Sequence, residues 1–322
     1  MTYIGLDIAK LTFVVGIKQQ DTYHVKEFDN QESGFAEMTK WIDDFDIRQA
    51  HYCMESTGKY GFALAAYLYK NKQTISVVNP FKIKHFGKSL MLRNKTDQVD
   101  AKLIAQFCEV HKPSAWTPKS QDIERLSSLT KRLLQLEKML RQDKKRLELE
   151  TQNDVIESIN KLGEELQKQI DSIENLIAQT IANNDELVKN ASLLKSINGV
   201  GNKTIYCVLS KLGHPKQFQS AKQFAAYIGI NPEHKQSGTS LNKSSISKMG
   251  DRNLRKILYM PTLSAIQCNP LIKEFYQRLV ANGKPKKLAV CAAMRKLLFI
   301  IFGVLKHETK FDINFANTKN CG

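Results

Sequence analysis

Asp97 and Asp100 lie three residues apart at the head of RNKTDQVDAKLIAQF (93–107), where Leu103, Ile104 and Phe107 recur at helical spacing. On a helix that spacing puts both carboxylates on one face while the apolar side is buried, a way to present paired hard oxygen ligands to a divalent cation. Arg93 and Lys95, just upstream, are cations that a phosphate-binding site could use. Two acids in a first turn also complement the helix dipole without any ligand, so the stretch alone leaves both readings open.

Two more carboxylates stand in informative places. Asp7 closes the apolar stretch YIGLDI (3–8), and Glu55 follows AHYCM (50–54). Acidic residues are disfavoured within strands and costly to bury, so a carboxylate ending each of two apolar strands asks for a cation or for a turn to cap.

The elements that must position these acids are legible. Residues 3–8, 11–17 and 23–28 read as three strands with short polar turns, hence an antiparallel meander. A helix follows from about Ser33 as N-cap, with Phe35, Met38, Trp41 and Ile42 on one stripe. Then come the strand at 50–54, a helix through Leu64, Tyr67 and Leu68, the strand TISVVNP (74–80) and a basic helical stretch with Lys82, Lys84, His85 and Lys88. The order β-β-β-α-β-α-β-α predicts a mixed sheet with helices on its faces. Folds of the ribonuclease H and Holliday-junction-resolvase type would gather Asp7, Glu55, Asp97 and Asp100 at one sheet edge. Such a cluster would bind two Mg²⁺ ions to activate an attacking oxygen, stabilise a leaving oxygen and orient a phosphodiester.

The 322 residues carry a net charge of +16, distributed as +2 over 1–112, −2 over 113–190 and +16 over 191–322. A basic balance so localised is the footprint of a polyanion, most economically nucleic acid. The six cysteines are dispersed without CxxC spacing, which argues against a zinc site or a disulfide framework. The N-terminus reads as a strand rather than a signal leader, and no apolar run approaches the roughly 20 residues of a membrane span, so a cytoplasmic protein is expected.

Leucines 126, 129, 133, 136 and 140, then Val155 to Ile181, repeat at spacings of three and four and predict a helical hairpin or coiled-coil arm over 113–190. Beyond it, helix breaks at Asn198-Gly199-Val200-Gly201 and restarts near Lys203, resembling a helix-hairpin-helix that grips phosphate through backbone amides. The polar stretch 233–256 mixes Ser237, Ser240, Ser244, Ser245 and Ser247 with Lys235, Lys243, Lys248, Arg252 and Arg255. It reads either as a serine-rich linker or as a loop pinned between the apolar element 224–232 and a helix starting after Asp251. Residues 270–281 and 287–306 supply two more helices, and 309–322 reads as a poorly ordered tail.

GLDIAK (5–10), MESTGKY (54–60), VVNP (77–80), LRNKTDQVDAKLIAQF (92–107), SINGVGNKT (196–204), QFAAYIGINP (223–232), SGTS (237–240) and LYMP (258–261) together resemble the DEDD-type transposases of insertion-sequence family 110, the bridge-RNA-guided recombinases. The resemblance runs collinearly from residue 3 to about 306.

It implies a resolvase-like catalytic domain (1–112) with the tetrad on Asp7, Glu55, Asp97 and Asp100 binding Mg²⁺. It further implies a coiled-coil spacer (113–190) and a mostly helical transposase domain (191–308) whose nucleophilic serine would be Ser237, with Ser240 as the nearby rival. The expected partners are donor and target DNA, a structured noncoding RNA pairing with both, and further copies of the chain, with a catalytic centre shared between protomers as the expectation for two residue sets separated by a long helical arm. Phosphate contacts are expected from Arg93, Lys95, Gly199, Gly201, Lys203, Lys235, Lys243, Lys248, Arg252 and Arg255. A serine hydroxyl is a poor nucleophile without a base or metal beside it, which the tetrad would supply. The competing readings are a Holliday-junction-resolvase-like nuclease with a metal-activated water, a sugar-kinase-like fold suggested by GLDIAK alone, and a non-catalytic nucleic-acid-binding protein.

Overall fold

The structure is a computed structural model. It describes residues 1–19, 22–56, 58–91, 96–212, 218–237, 241–246, 250 and 252–313, with the backbone alone for 212, 232–237, 241–245 and 253. Arg93, Lys95, Ser240, Lys248 and most of the expected tail lie outside these described residues, as do the side chains of Ser237, Lys235 and Lys243. The chain divides into two compact units, Met1–Pro118 and Lys119–Gly322.

The first unit is a five-stranded mixed sheet ordered β3-β2-β1-β4-β5. Strands β1 (Thr2–Ile8), β2 (Thr12–Gln19) and β3 (Thr22–Asp29) form the expected meander, while β4 (Ala50–Glu55) and β5 (Thr74–Val78) join parallel to β1. Because strand side chains alternate, each strand serves both faces. Ile4, Leu6, Ile8, Phe13, Val15, Ile17, Tyr52, Met54 and Ile75 form one core with α1 (Glu32–Asp43) and α2 (Phe62–Lys70). The other face receives α3 (Pro80–Ser89) and α4 (Asp97–His111), with Cys53, Val78, Ile83, Leu103, Ile104, Phe107 and Cys108 in its core. The α1 helix starts earlier than its sequence suggests: Gln31 is the N-cap, without a side-chain cap bond, and Ser33 sits inside the first turn.

The second unit pairs two long helices, α5 (Gln121–Leu147) and α6 (Asn153–Ala182), and continues through α7 (Asp185–Lys195), α8 (Asn202–Leu212) and α9 (Ala221–Ile228). Leu126, Leu133, Leu136, Leu166, Ile170 and Ile177 of the pair belong to the same core as residues of the later helices. Pro232 opens a strand rather than closing an element: β6 (Pro232–Ser237) and β7 (Leu241–Ile246) form a hairpin where the sequence suggests a linker or pinned loop. Then follow α10 (Arg252–Cys268), α11 (Pro270–Ala281) and α12 (Lys286–His307). With 22 residues and a mean hydropathy of 2.2 over its most apolar window, α12 is long and apolar enough to cross a membrane, which corrects the reading that no such run exists. Its apolarity has a local cause, since Ala293, Leu297, Leu298, Ile301 and Phe302 are buried in the core of this unit.

Candidate active site

The first unit brings its acids together through a row of small side chains. Gly16, Gly5, Cys53 and Ser76 align in register across β2, β1, β4 and β5 on one face. A Cβ on Gly5 would stand 2.1 Å from the Ala101 carbonyl oxygen and 2.4 Å from the Ala105 nitrogen, and one on Gly16 would be 3.0 Å from the Ala101 carbonyl carbon. Gly5 and Gly16 thus form a floor on which the backbone of α4 lies directly against the sheet, an approach open only to glycine.

Two residues further along each strand, on the same face, comes the next row: Val14, Asp7, Glu55 and Val78. Asp7 and Glu55 each follow the last in-register pair of their parallel strands, Leu6 and Met54, so the two carboxylates are lateral neighbours. The direction of α4 completes the arrangement. Its middle meets Gly5, while its later residue Cys108 donates its thiol to the His51 carbonyl at 3.7 Å, so α4 runs antiparallel to β1 and β4. Stepping back from Ala101 to Asp97 covers about 6 Å of helix axis. Stepping on from Gly5 to Asp7 covers about 6.6 Å of strand, which brings the first turn of α4 level with the acid row.

That first turn is fixed by its cap: the Thr96 hydroxyl accepts from the Val99 amide at 3.3 Å. Asp97 is exposed, whereas Asp100, Asp7 and Glu55 are half-buried. All four line one cleft of about 760 Å³, whose other wall is α3 with Phe81, Lys84 and Lys88. Among the described residues no three acid, histidine or cysteine side chains converge on a point as a ready-made cation cage. The donor set nevertheless suits Mg²⁺, which takes one or two carboxylates per ion and fills its remaining positions with water and phosphate oxygens. In the same row, hydrogen bonding to Cys108 and burial push the Cys53 thiol up, so it stays a neutral core group.

In the second unit, Ser237 ends β6 opposite Leu241, the first residue of β7. Gly199 takes φ +95°, and a Cβ there would stand 2.7 Å from the Ala265 backbone, so this glycine is required by packing. Gly201 has open space around its Cβ position. Lys203 is ion-paired with Glu137, and Arg255 donates to the Ile228 carbonyl at 2.7 Å, bracing the end of α9. Arg252 is exposed. A groove of about 820 Å³ joins Gly199, Gly201 and Lys203 to Lys131, Lys138, Arg141 and Lys256, basic residues that sequence reasoning did not single out. It also passed over Lys84 and Lys88 as cleft residues, although their i, i+4 spacing after the Asn79-Pro80 helix start was a usable signal.

Comparison with known proteins agrees with this architecture. Residues 4–149 match the family model for DEDD transposases of the IS110 type, and residues 191–277 match the model for transposases of the IS116/IS110/IS902 family. The chain is 35% identical over 318 residues to the pilin gene-inverting protein of Moraxella bovis, covering 97% of this chain and 98% of that one. It is likewise 35% identical over 318 residues to the pilin gene-inverting protein of Moraxella lacunata, with the same coverage. It is 24% identical over 354 residues to the transposase of insertion element IS1328 of Yersinia enterocolitica, covering 97% and 99% of the two chains. A mixed sheet with its four acids on one cleft and full-length similarity of this kind together establish that the chain belongs to the IS110 family of DEDD transposases.

Proposed function

We propose that this transposase cleaves and exchanges DNA strands by Mg²⁺-dependent phosphoryl transfer, with Asp7, Glu55, Asp97 and Asp100 as the ion-holding carboxylates and Ser237 as the nucleophile. The observation that carries the first part is the convergence of acids from β1, β4 and α4 on one cleft. Bound Mg²⁺ would neutralise phosphate charge and make an oxygen nucleophile available near neutral pH. The chain's own contribution is positional: the glycine floor and the Thr96 cap hold the carboxylates on rigid elements, so little reorganisation is needed when a phosphodiester enters.

The serine step balances as follows. The Ser237 hydroxyl oxygen bonds to phosphorus, one bridging phosphorus–oxygen bond of the DNA strand breaks, the hydroxyl proton leaves to a base, and the departing oxygen gains a proton. Rejoining reverses each change. The support for Ser237 is its place in the SGTS motif at 237–240, within the family resemblance.

We also propose a structured noncoding RNA as guide, self-association through 113–190, and nucleic-acid contacts in 191–308, where the net charge concentrates. Incubation with DNA bearing the element's ends, the RNA encoded beside the reading frame and Mg²⁺ should give a covalent protein–DNA adduct. Ser237→Ala with Ser240 intact should abolish it, whereas cleavage without any adduct would favour a resolvase-like nuclease, and binding without cleavage a non-catalytic role.

A second reading is favoured by the names of the full-length relatives: site-specific inversion of a DNA segment. A plasmid carrying two recombination sites in inverted orientation separates the two, since inversion flips the intervening segment and transposition moves the element.

A further inference from the structure

We propose that one face of α3 is a strand-guiding rail: Lys84 and Lys88 hold the phosphates of the DNA strand being cut, and Phe81 stacks on an unpaired base beside the cut. This rests on the catalytic reading above but concerns residues outside the carboxylate set.

Phe81, Lys84 and Lys88 occupy positions i, i+3 and i+7, one face of a helix, and all three line the cleft that holds the acids. The adjoining side of α3, which borders the same cleft, is anchored. Ile83 and Gly87 are buried, and a Cβ on Gly87 would meet the Leu103 side chain at 2.9 Å, so α3 lies close on α4 and the rail is held at a set distance from Asp97 and Asp100. The Asn79 side chain accepts from the Phe81 amide at 2.9 Å, which fixes the start of the helix.

Charge and exposure say what the rail is for. A cleft with four carboxylates repels a phosphodiester until cations balance it. Lys84 and Lys88 are exposed and have no carboxylate partner among the described residues, unlike Lys18 and Lys203, which are tied to Glu109 and Glu137. They stand about 6 Å apart along the axis, comparable to the spacing of neighbouring phosphates on one strand. Phe81 is 43% exposed despite facing a polar cleft, and its ring centroid lies 4.2 Å from that of His85 one turn on, which props it outward. An exposed ring beside paired cations is the arrangement that grips a single strand, because only an unpaired base offers its face for stacking.

Two measurements on the full chain test this, with Ca²⁺ in place of Mg²⁺ to hold DNA uncut. In the first, Phe81 is replaced by p-benzoylphenylalanine and the complex is irradiated. Crosslinks are expected at nucleotides flanking the cleaved phosphate. Crosslinks only to remote DNA, only to the RNA, or none, would overturn the proposal. In the second, binding of a DNA spanning the cleavage site, opened there by a mismatch bubble, is followed against salt. Lys84→Gln with Lys88→Gln should lower the slope of log K on log salt by about 1.4, from about 0.7 per phosphate contact on a single strand. An unchanged slope would count against it. Because all three side chains are exposed, the variants should fold normally. Wild-type cleavage in Mg²⁺ reports separately on the catalytic reading: cleavage with no rail signature sinks only this inference, and a rail signature without cleavage sinks only the other.

Discussion

The two units place their chemistry in opposite ways. In the first, the acids sit on sheet register, a glycine floor and a capped helix, so their positions follow from backbone packing. In the second, Ser237 ends a strand of a two-stranded hairpin rich in serine and lysine, whose backbone register is given by β6–β7 pairing. Two-stranded ribbons have little stability of their own and draw it from what they dock against. The proposed roles divide accordingly: carboxylates on packed elements that would hold charge, and Ser237, the proposed nucleophile, on a two-stranded ribbon.

That contrast can be broken by substitution. The largest effect is expected at Gly5→Val, which drives a branched side chain into the α4 backbone and should cost about 3 kcal/mol or more, read as a collapse of the first unit's denaturant midpoint. Next, Asp7→Asn, Glu55→Gln, Asp97→Asn and Asp100→Asn should leave that midpoint nearly unchanged yet slow strand cleavage more than about 100-fold, beyond the loss typical of groups that only orient metal ligands. In the second unit, Gly199→Ala forces a Cβ against Ala265 at positive φ and should destabilise by about 1–3 kcal/mol. Gly201→Ala, with open space, should stay within about 0.5 kcal/mol. If both glycines proved equally sensitive, the packing account of this turn would fail.

A further effect, visible only at alkaline pH, is a pH dependence confined to the first unit. Burial, then the charge of Asp43 and the neighbouring Tyr67, push the Tyr52 phenol up to about 12 from 10.0. The unfolded chain loses this proton first, so the stabilisation is intact below pH 10 and is lost as pH climbs towards 12. Tyr52→Phe should flatten that part of the alkaline unfolding curve.

Much of the first unit was legible because its signals are local: short apolar runs, polar turns, and acids that end strands. What the sequence hid depends on cross-strand register. Nothing in GLDIAK says that Gly5 will form a floor with Gly16, in a row continued by Cys53 and Ser76, because that row exists only once four strands are aligned. The β6–β7 hairpin was hidden for another reason: PEHKQS and LNKSSI lack the alternation of apolar and polar residues by which a strand is recognised. Arg255 and Lys203 show the limit of reading charge by composition, since the carbonyl of Ile228 and the carboxylate of Glu137 already engage them.

The central claim is that four carboxylates from three elements act as one cation-dependent centre. Its most direct test is the Mg²⁺ concentration dependence of strand cleavage for the wild type and for the four single amide variants, each checked for an unaltered unfolding midpoint. All four should lose cleavage, with any residual rate needing higher Mg²⁺. A folded variant at any of the four positions that cleaves at the wild-type rate with the wild-type Mg²⁺ requirement would contradict the account.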